Sequence, residues 1–217
     1  MAEIVDPEVR EVMTPVGPAR LTITSPELAV GTLVLGHGAG GQSWSKDVLA
    51  VRDAAVDAGW TVVLVDQPWR LAGRRVADRP PTLDRAWVPV LADVTRAHGH
   101  GAEGTSGPLV VGGRSAGARV ACRTAREVGA DAVLCLSFPL HPPGKPERSR
   151  ADELVLPGAA GLPVLVVQGQ RDPFGTPEEV GEDIGTDGQV VSVPGTHTLT
   201  KATRVAEVAL EWLDALG

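Results

Sequence analysis

Residues Gly113-Arg114-Ser115-Ala116-Gly117 carry a serine in the pattern G-x-S-x-G. They follow the apolar run 108–112 and precede a small-residue helical stretch over 116–128. A serine on a sharp turn between strand and helix presents its hydroxyl where it can attack an electrophilic carbon. Glycines on both sides suit that turn: the backbone is strained, and a bulky neighbour would strike the adjoining strand or helix. The helix begins at the serine, so its free N–H groups favour negative charge developing there. With 26 glycines in the chain, the pentapeptide carries weight only through its place between strand and helix.

A serine hydroxyl is a weak nucleophile, so it needs a base, and the base needs an acid to orient it. In a parallel α/β sheet, ligands bind at the carboxyl ends of the strands. The residues that follow each apolar run are therefore the candidates. Run 32–35 is followed by Gly36-His37-Gly38-Ala39-Gly40-Gly41, and run 61–65 by Asp66-Gln67-Pro68-Trp69. Run 132–136 leads to Ser137-Phe138-Pro139-Leu140-His141, run 163–167 to Gln168-Gly169-Gln170-Arg171-Asp172, and run 189–193 to Pro194-Gly195-Thr196-His197. Ser115 is the expected nucleophile, His197 the general base and Asp172 the acid that fixes the imidazole. Asp66 is the alternative acid. A developing oxyanion would be met by the backbone N–H groups of Ala39 and Ala116, with Gly40 the alternative to Ala39.

Other residues have two readings each. His37 either bonds the backbone of its own loop or acts as a second base. Arg114 and Arg119 flank the nucleophile; one of them holds an anionic substrate group, or both form ion pairs that brace the turn. His141 contacts substrate or orders its Pro-rich loop. Gly40, Trp69, Arg114 and His141 are thus the candidate substrate contacts, and Trp44 and Phe174 lie on the same expected rim. His98 and His100 read as a solvated Gly-rich loop rather than a metal site, since no third ligand stands near them. Gly36-x-Gly38-x-x-Gly41 also matches the outline of a dinucleotide loop. The acid Asp66, however, falls about thirty residues after Gly36, against a usual spacing of about twenty.

The elements that must position these groups alternate along the chain. Strand-like segments 9–13 and 20–24, separated by Pro15-Val16-Gly17-Pro18, form an expected N-terminal hairpin. The later apolar runs lack period-2 alternation, as strands buried on both faces do. Helical patterns cover 46–58, 83–97, 116–128 and 201–216. The expected fold is α/β: a mostly parallel sheet with helices on both faces, an antiparallel hairpin first and no separate lid domain. Segments 69–81 and 139–157 are long loops, the first Arg-rich and pocket-shaping, the second a short flap.

At 217 residues the chain is expected to form one domain spanning 1–217. A net charge of −7 argues against nucleic-acid binding. No apolar stretch reaches the length of a membrane span. The first residues show no apolar signal core, and Cys122 and Cys135 read as buried thiols, so a cytoplasmic location is expected. Arginine outnumbers lysine, a composition that points to a high-GC bacterial genome. The oligomeric state is open between monomer and homodimer.

Taken together, the glycine-rich loop 36–41, the Ser115 turn, Asp172 and His197, in that order, resemble the α/β-hydrolase superfamily over nearly the whole chain. The stretches 112–119 and 136–143 resemble its dienelactone-hydrolase-like branch, which includes the testis-expressed protein 30 group and a subunit of an animal histone-acetyltransferase complex. The resemblance implies a compact, lidless core acting as a serine hydrolase on a small-molecule acyl substrate such as a carboxylic ester, with no metal or organic cofactor. Dienelactone hydrolases carry a cysteine nucleophile; here Ser115 stands in that place. Two other functions share the fold: a non-catalytic interaction module, and acyl transfer to an acceptor other than water.

Overall fold

Successive residues of the central strands face two different helical layers, which explains their unbroken apolar runs. A computed structural model describes residues 7–40, 44–97, 107–186 and 188–216. The strands are β1 (Glu8–Thr14), β2 (Gly17–Thr24), β3 (Thr32–Gly36), β4 (Thr61–Asp66), β5 (Leu109–Arg114), β6 (Ala132–Leu136), β7 (Val164–Gly169) and β8 (Gly188–Val193). Among the described residues they form one sheet in the order β1-β2-β4-β3-β5-β6-β7-β8. β1 and β2 form the antiparallel hairpin, β2 joins β4 antiparallel, and every pairing from β4 through β8 is parallel.

The helices are α1 (Lys46–Asp57), α2 (Pro68–Leu71), α3 (Pro80–Ala97), α4 (Ala116–Thr124), α5 (Ala151–Leu154), α6 (Leu156–Ala159), α7 (Pro177–Asp183) and α8 (Ala202–Asp214). Val34, Val63, Val111, Val133 and Val166 turn toward one layer, where Trp87 and Val90 of α3 and Val120 and Ala121 of α4 meet them. Their neighbours Leu33, Leu35, Val62, Val110, Leu134 and Leu165 face the other layer, against Val48 and Val51 of α1 and Val205 and Leu213 of α8. A strand buried on both faces needs no polar alternation.

Several boundaries differ from the sequence reading. The hairpin turn is tighter: Gly17 and Pro18 belong to β2, and Thr14 Oγ1 donates to Gly17 O at 2.6 Å to close the bend. α4 ends at Thr124 rather than 128, and α3 begins at Pro80. The segment 139–157 is not a loose flap. It holds a 3-10 turn (Pro146–Arg148), α5 and the start of α6. Arg119 and Arg123 of α4 clamp it through Glu153: Arg119 reaches both carboxylate oxygens at 2.7 and 2.6 Å, and Arg123 adds a bond at 2.9 Å. Arg123 also grips Asp84 of α3 at 2.9 and 2.6 Å. Cys122 and Cys135 are buried free thiols, their sulfurs 3.5 Å apart. His98 and His100 lie outside the described residues.

Backbone packing is tight where β3, β5 and α4 meet. Gly113 has φ +152°, and a Cβ there would stand 2.3 Å from the carbonyl oxygen of Gly36. A Cβ on Gly117 would stand 2.4 Å from the same oxygen. No side chain fits in either space. Gly117→Ala is expected to cost about 1–3 kcal/mol or more in urea unfolding, the range for overpacked cores. Gly181, inside α7 with nothing within 4 Å of its Cβ direction, is the contrast. Gly181→Ala should stabilise by about 0.5–1 kcal/mol.

Candidate active site

Ser115 occupies the turn between β5 and α4 with φ 53° and ψ −108°, a backbone conformation that costs a non-glycine residue about 1–3 kcal/mol. The turn is held by Ser115 N–H donating to Leu136 O of β6 at 3.0 Å, and Arg119 N–H closes the first helical turn onto Ser115 O. Asp172 follows β7 and His197 follows β8, as the strand-end reading expects. The three side chains converge. His197 Nε2 lies 2.9 Å from Ser115 Oγ, and His197 Nδ1 lies 2.8 Å from Asp172 Oδ2. Asp172 is buried, and its other oxygen, Oδ1, accepts from Phe174 N–H at 2.9 Å. Phe174 lies over the imidazole, with ring centroids 4.3 Å apart. With Nδ1–H donated to a carboxylate, Nε2 is left as the acceptor for the serine proton.

The oxyanion candidates lie on two segments, the start of α4 and the loop after β3. Ala116 is the first residue of α4, so its N–H has no acceptor within the helix. Ala39 and Gly40 are exposed on the loop after β3, and Gly36 at the root of that loop touches Gly117. The loop is shaped by His37. Gln67 N–H donates to His37 Nε2 at 3.1 Å, so that nitrogen accepts, and Nδ1–H donates to Gly38 O at 2.8 Å. The imidazole is packed edge-on against Trp44 and Trp69. Burial drives its pKa down to about 4; the bond to Gly38 opposes that shift and the Arg70 charge adds to it. His37 is therefore a neutral strut of the loop, the first of its two readings, and not a second base.

The remaining candidates are occupied inside the protein. Arg114 Nε bonds Asp47 Oδ2 of α1 at 3.2 Å, and its Nη2 donates to the carbonyl of His197. It braces the turn against the base, as the alternative reading has it, and Arg119 is committed to Glu153. Trp69, expected as a substrate contact, is only 2% exposed and belongs to the core. α2 begins at Pro68 immediately after β4 and turns its indole inward, where it walls a narrow crevice with Leu83, Val120 and Ala116. His141 is buried beside its own loop, with Nδ1 3.0 Å from Pro142 O and Nε2 3.6 Å from Glu179. Asp66, the alternative acid, pairs with Arg70 at 3.2 Å, and burial pushes its carboxyl upward. The Arg-rich segment 69–81 does shape a pocket: Arg70, Leu71 and Gly73 line a groove of about 540 Å³ with Arg20, Trp44, Leu49 and Asp66, and no triad residue lines it.

Two contributors escape the sequence reading. Asp47 is 2% exposed, and nothing near it in the chain announces its link to Arg114. Gln168, the last side chain before the Gly169 that ends β7, donates to Asp172 Oδ2 at 3.1 Å. Its place four residues before the acid is the only signal it offers.

A serine on a strand–helix turn, with an acid and a histidine from later strand ends of a mainly parallel sheet, defines the α/β-hydrolase fold. The chain belongs to the alpha/beta hydrolase domain family, whose sequence profile matches residues 29–209. Solved structures agree in fold across the full length. An alpha-beta serine hydrolase homologue from Coxiella burnetii is 20% identical with a TM-score of 0.74, covering 97% of each chain. A dienelactone hydrolase from Anabaena variabilis is 20% identical with a TM-score of 0.74, covering 98% of this chain and 99% of its own. A serine hydrolase without a lid from Xanthomonas campestris is 19% identical with a TM-score of 0.70, covering 96% of each. No curated protein matches the chain. Among the described residues, no helix is long and apolar enough to cross a membrane.

The lowered value of His37 has a sign that can be checked. Unfolded histidine takes up its proton near 6.5 and folded His37 near 4, so between these values the folded state binds fewer protons. Its contribution to stability is whole above about 6.5 and is lost as pH falls toward 4. NMR of the ring nitrogens is expected to show neutral His37, protonated at Nδ1, down to pH 5.5. A charged ring at that pH would refute the strut.

Proposed function

We propose that this chain is a serine hydrolase that cleaves a carboxylic ester or similar acyl substrate through an acyl-enzyme on Ser115. The observation that carries the reading is the unbroken series Ser115 Oγ–His197 Nε2 at 2.9 Å and His197 Nδ1–Asp172 Oδ2 at 2.8 Å. Ser115 Oγ attacks the substrate carbonyl carbon as His197 Nε2 takes its proton. The carbonyl oxygen becomes an oxyanion and accepts from the N–H groups of Ala116 and Ala39, or Gly40. Asp172 stabilises the imidazolium without taking the proton. Collapse breaks the bond to the leaving group, which departs with the proton from His197. A water molecule then gives a proton to His197 and attacks the acyl carbon; Ser115 leaves, reprotonated, with the acid as product. Every step uses groups of this chain and needs no metal or organic cofactor.

Among the described residues no lid domain covers the site at the carboxyl edge of the sheet, which favours small or exposed esters. The serine hydrolase, esterase and dienelactone hydrolase names of structurally similar proteins support the reaction class. Dienelactone hydrolysis itself is not part of the proposal, since Ser115 replaces the cysteine of that chemistry. Kinship with the testis-expressed protein 30 group rests on stretches 112–119 and 136–143 alone. Acyl transfer would employ the same groups, and product analysis with competing alcohols separates it from hydrolysis. A cytoplasmic, small-molecule role is part of the same proposal.

A fluorophosphonate probe followed by peptide mass spectrometry tests the reading. One adduct is expected, on Ser115, and none in Ser115→Ala. That variant should lose roughly three to six orders of magnitude in short-chain ester turnover while keeping its melting temperature. Combining it with His197→Ala should cost little more, because the two act as a unit. Folded protein that takes no label, or a Ser115→Ala variant with undiminished turnover, refutes the mechanism.

A further inference from the structure

The acid of the site is itself held by a residue with no assigned role. Gln168 is completely buried, and its amide nitrogen faces three acceptors: Gly175 O at 2.7 Å, Phe138 O at 3.1 Å and Asp172 Oδ2 at 3.1 Å. Three oxygens around one amide atom identify it as the nitrogen, since the flipped group would set oxygen against oxygen. The nitrogen has two hydrogens. Gly175 O, the nearest acceptor, takes one. The other is shared between Phe138 O and Asp172 Oδ2, which stand at equal distance. Asp172 Oδ2 is the same oxygen that accepts from His197 Nδ1. Gln168 therefore acts on the lone pairs that hold the base.

We propose that Gln168 is the positioning residue of this site: its amide sets both the plane of the Asp172 carboxylate and how strongly that carboxylate holds His197. A donor on Oδ2 withdraws electron density from the bond to Nδ1–H and fixes the carboxylate against rotation. The same amide ties the segment after β6, through Phe138, to the turn that carries the acid, through Gly175. Burial makes the arrangement obligatory. Loss of the donor would leave buried Gly175 O unpaired, while Phe138 O would keep Leu140 N–H and Asp172 Oδ2 would keep His197. Among the described residues its Oε1 has no hydrogen-bond partner, so the amide nitrogen alone anchors this buried side chain, and one of its contacts goes to the charged group of the site. The proposal rests on the reading of Asp172 and His197 as acid and base, and its test needs a readout that does not depend on turnover.

That readout is NMR of the wild-type protein labelled with ¹⁵N. The Gln168 side-chain amide resonances are expected to shift with the same midpoint as the His197 ring when pH is varied. Gln168→Met keeps the length and volume but removes the donor. In that variant the low-field proton of the His197–Asp172 bond should move. The acid limb of the pH–rate profile should shift to higher pH, because a carboxylate without this donor holds the imidazolium more tightly. The kcat for a short-chain p-nitrophenyl ester should fall roughly ten- to a hundredfold, the rate equivalent of one hydrogen bond to a charged group, with KM nearly unchanged. A residue that served packing alone would lower the melting temperature and leave the low-field proton and the pH profile in place; that result overturns the proposal. If Gln168→Met fails to fold, the wild-type titration decides: Gln168 resonances that ignore His197 overturn it equally. Tracking resonances in a protein whose Ser115 takes no fluorophosphonate would leave the positioning role standing and remove the hydrolase reading.

Discussion

One backbone contact governs the site: the carbonyl of Gly36 lies where side chains of residues 113 and 117 would begin. It brings the end of β3, the end of β5 and the start of α4 within a single atom's clearance of one another. The glycine-rich loop departs from Gly36, so its distance from Ser115 is set before any side chain is considered. The same contact fixes the spacing between the loop after β3 and the first N–H of α4. Glycine at 113 and 117 answers a spatial demand; the strained angles of Ser115 are what the same crowding imposes on the one residue that must keep its side chain.

The opposite side of the site is fixed by charge. Arg114 joins the serine turn to the His197 carbonyl and to buried Asp47, so the Ser115 turn, the His197 loop and α1 are connected through one guanidinium. Arg119 and Arg123 share Glu153 and anchor the segment after β6 to the nucleophile helix. Hydrogen bonds to both arginines hold the Glu153 carboxyl below the usual range, outweighing burial, which pushes it upward. The arginines around Ser115 are thus spent on internal structure.

The run of parallel strands and the convergence of Ser115, Asp172 and His197 are legible because each side chain follows a buried apolar run, and a parallel sheet brings all such ends to one edge. Ser115, Asp172 and His197 could therefore be placed without contacts. Short helices were not legible. α2 and α7 have too few residues for a periodic pattern, and Pro68 and Pro177 at their starts read equally well as loop. Trp69 differs from the expected rim position for that reason: the turn of α2 sends it into the core, whereas an extended loop would leave it at the rim. Partnerships between distant residues were hidden as well. Arg114 could serve a substrate or an internal acid until Asp47, 67 positions earlier, was seen beside it. Gln168 looked like one more strand-end residue, and only the three oxygens around it reveal its use.

The two thiols sit on the elements that flank the nucleophile, Cys122 in α4 and Cys135 in β6, both sealed from solvent. Burial and the bond to Cys122 push the Cys135 thiol well above its ordinary range, which keeps it protonated and unreactive. A thiol-specific dye therefore meets no target on the intact fold. Dye uptake would need the packing around α4 and β6 to open, and both elements adjoin the serine turn. The chain thus carries its own clock for loss of the site, readable without any substrate.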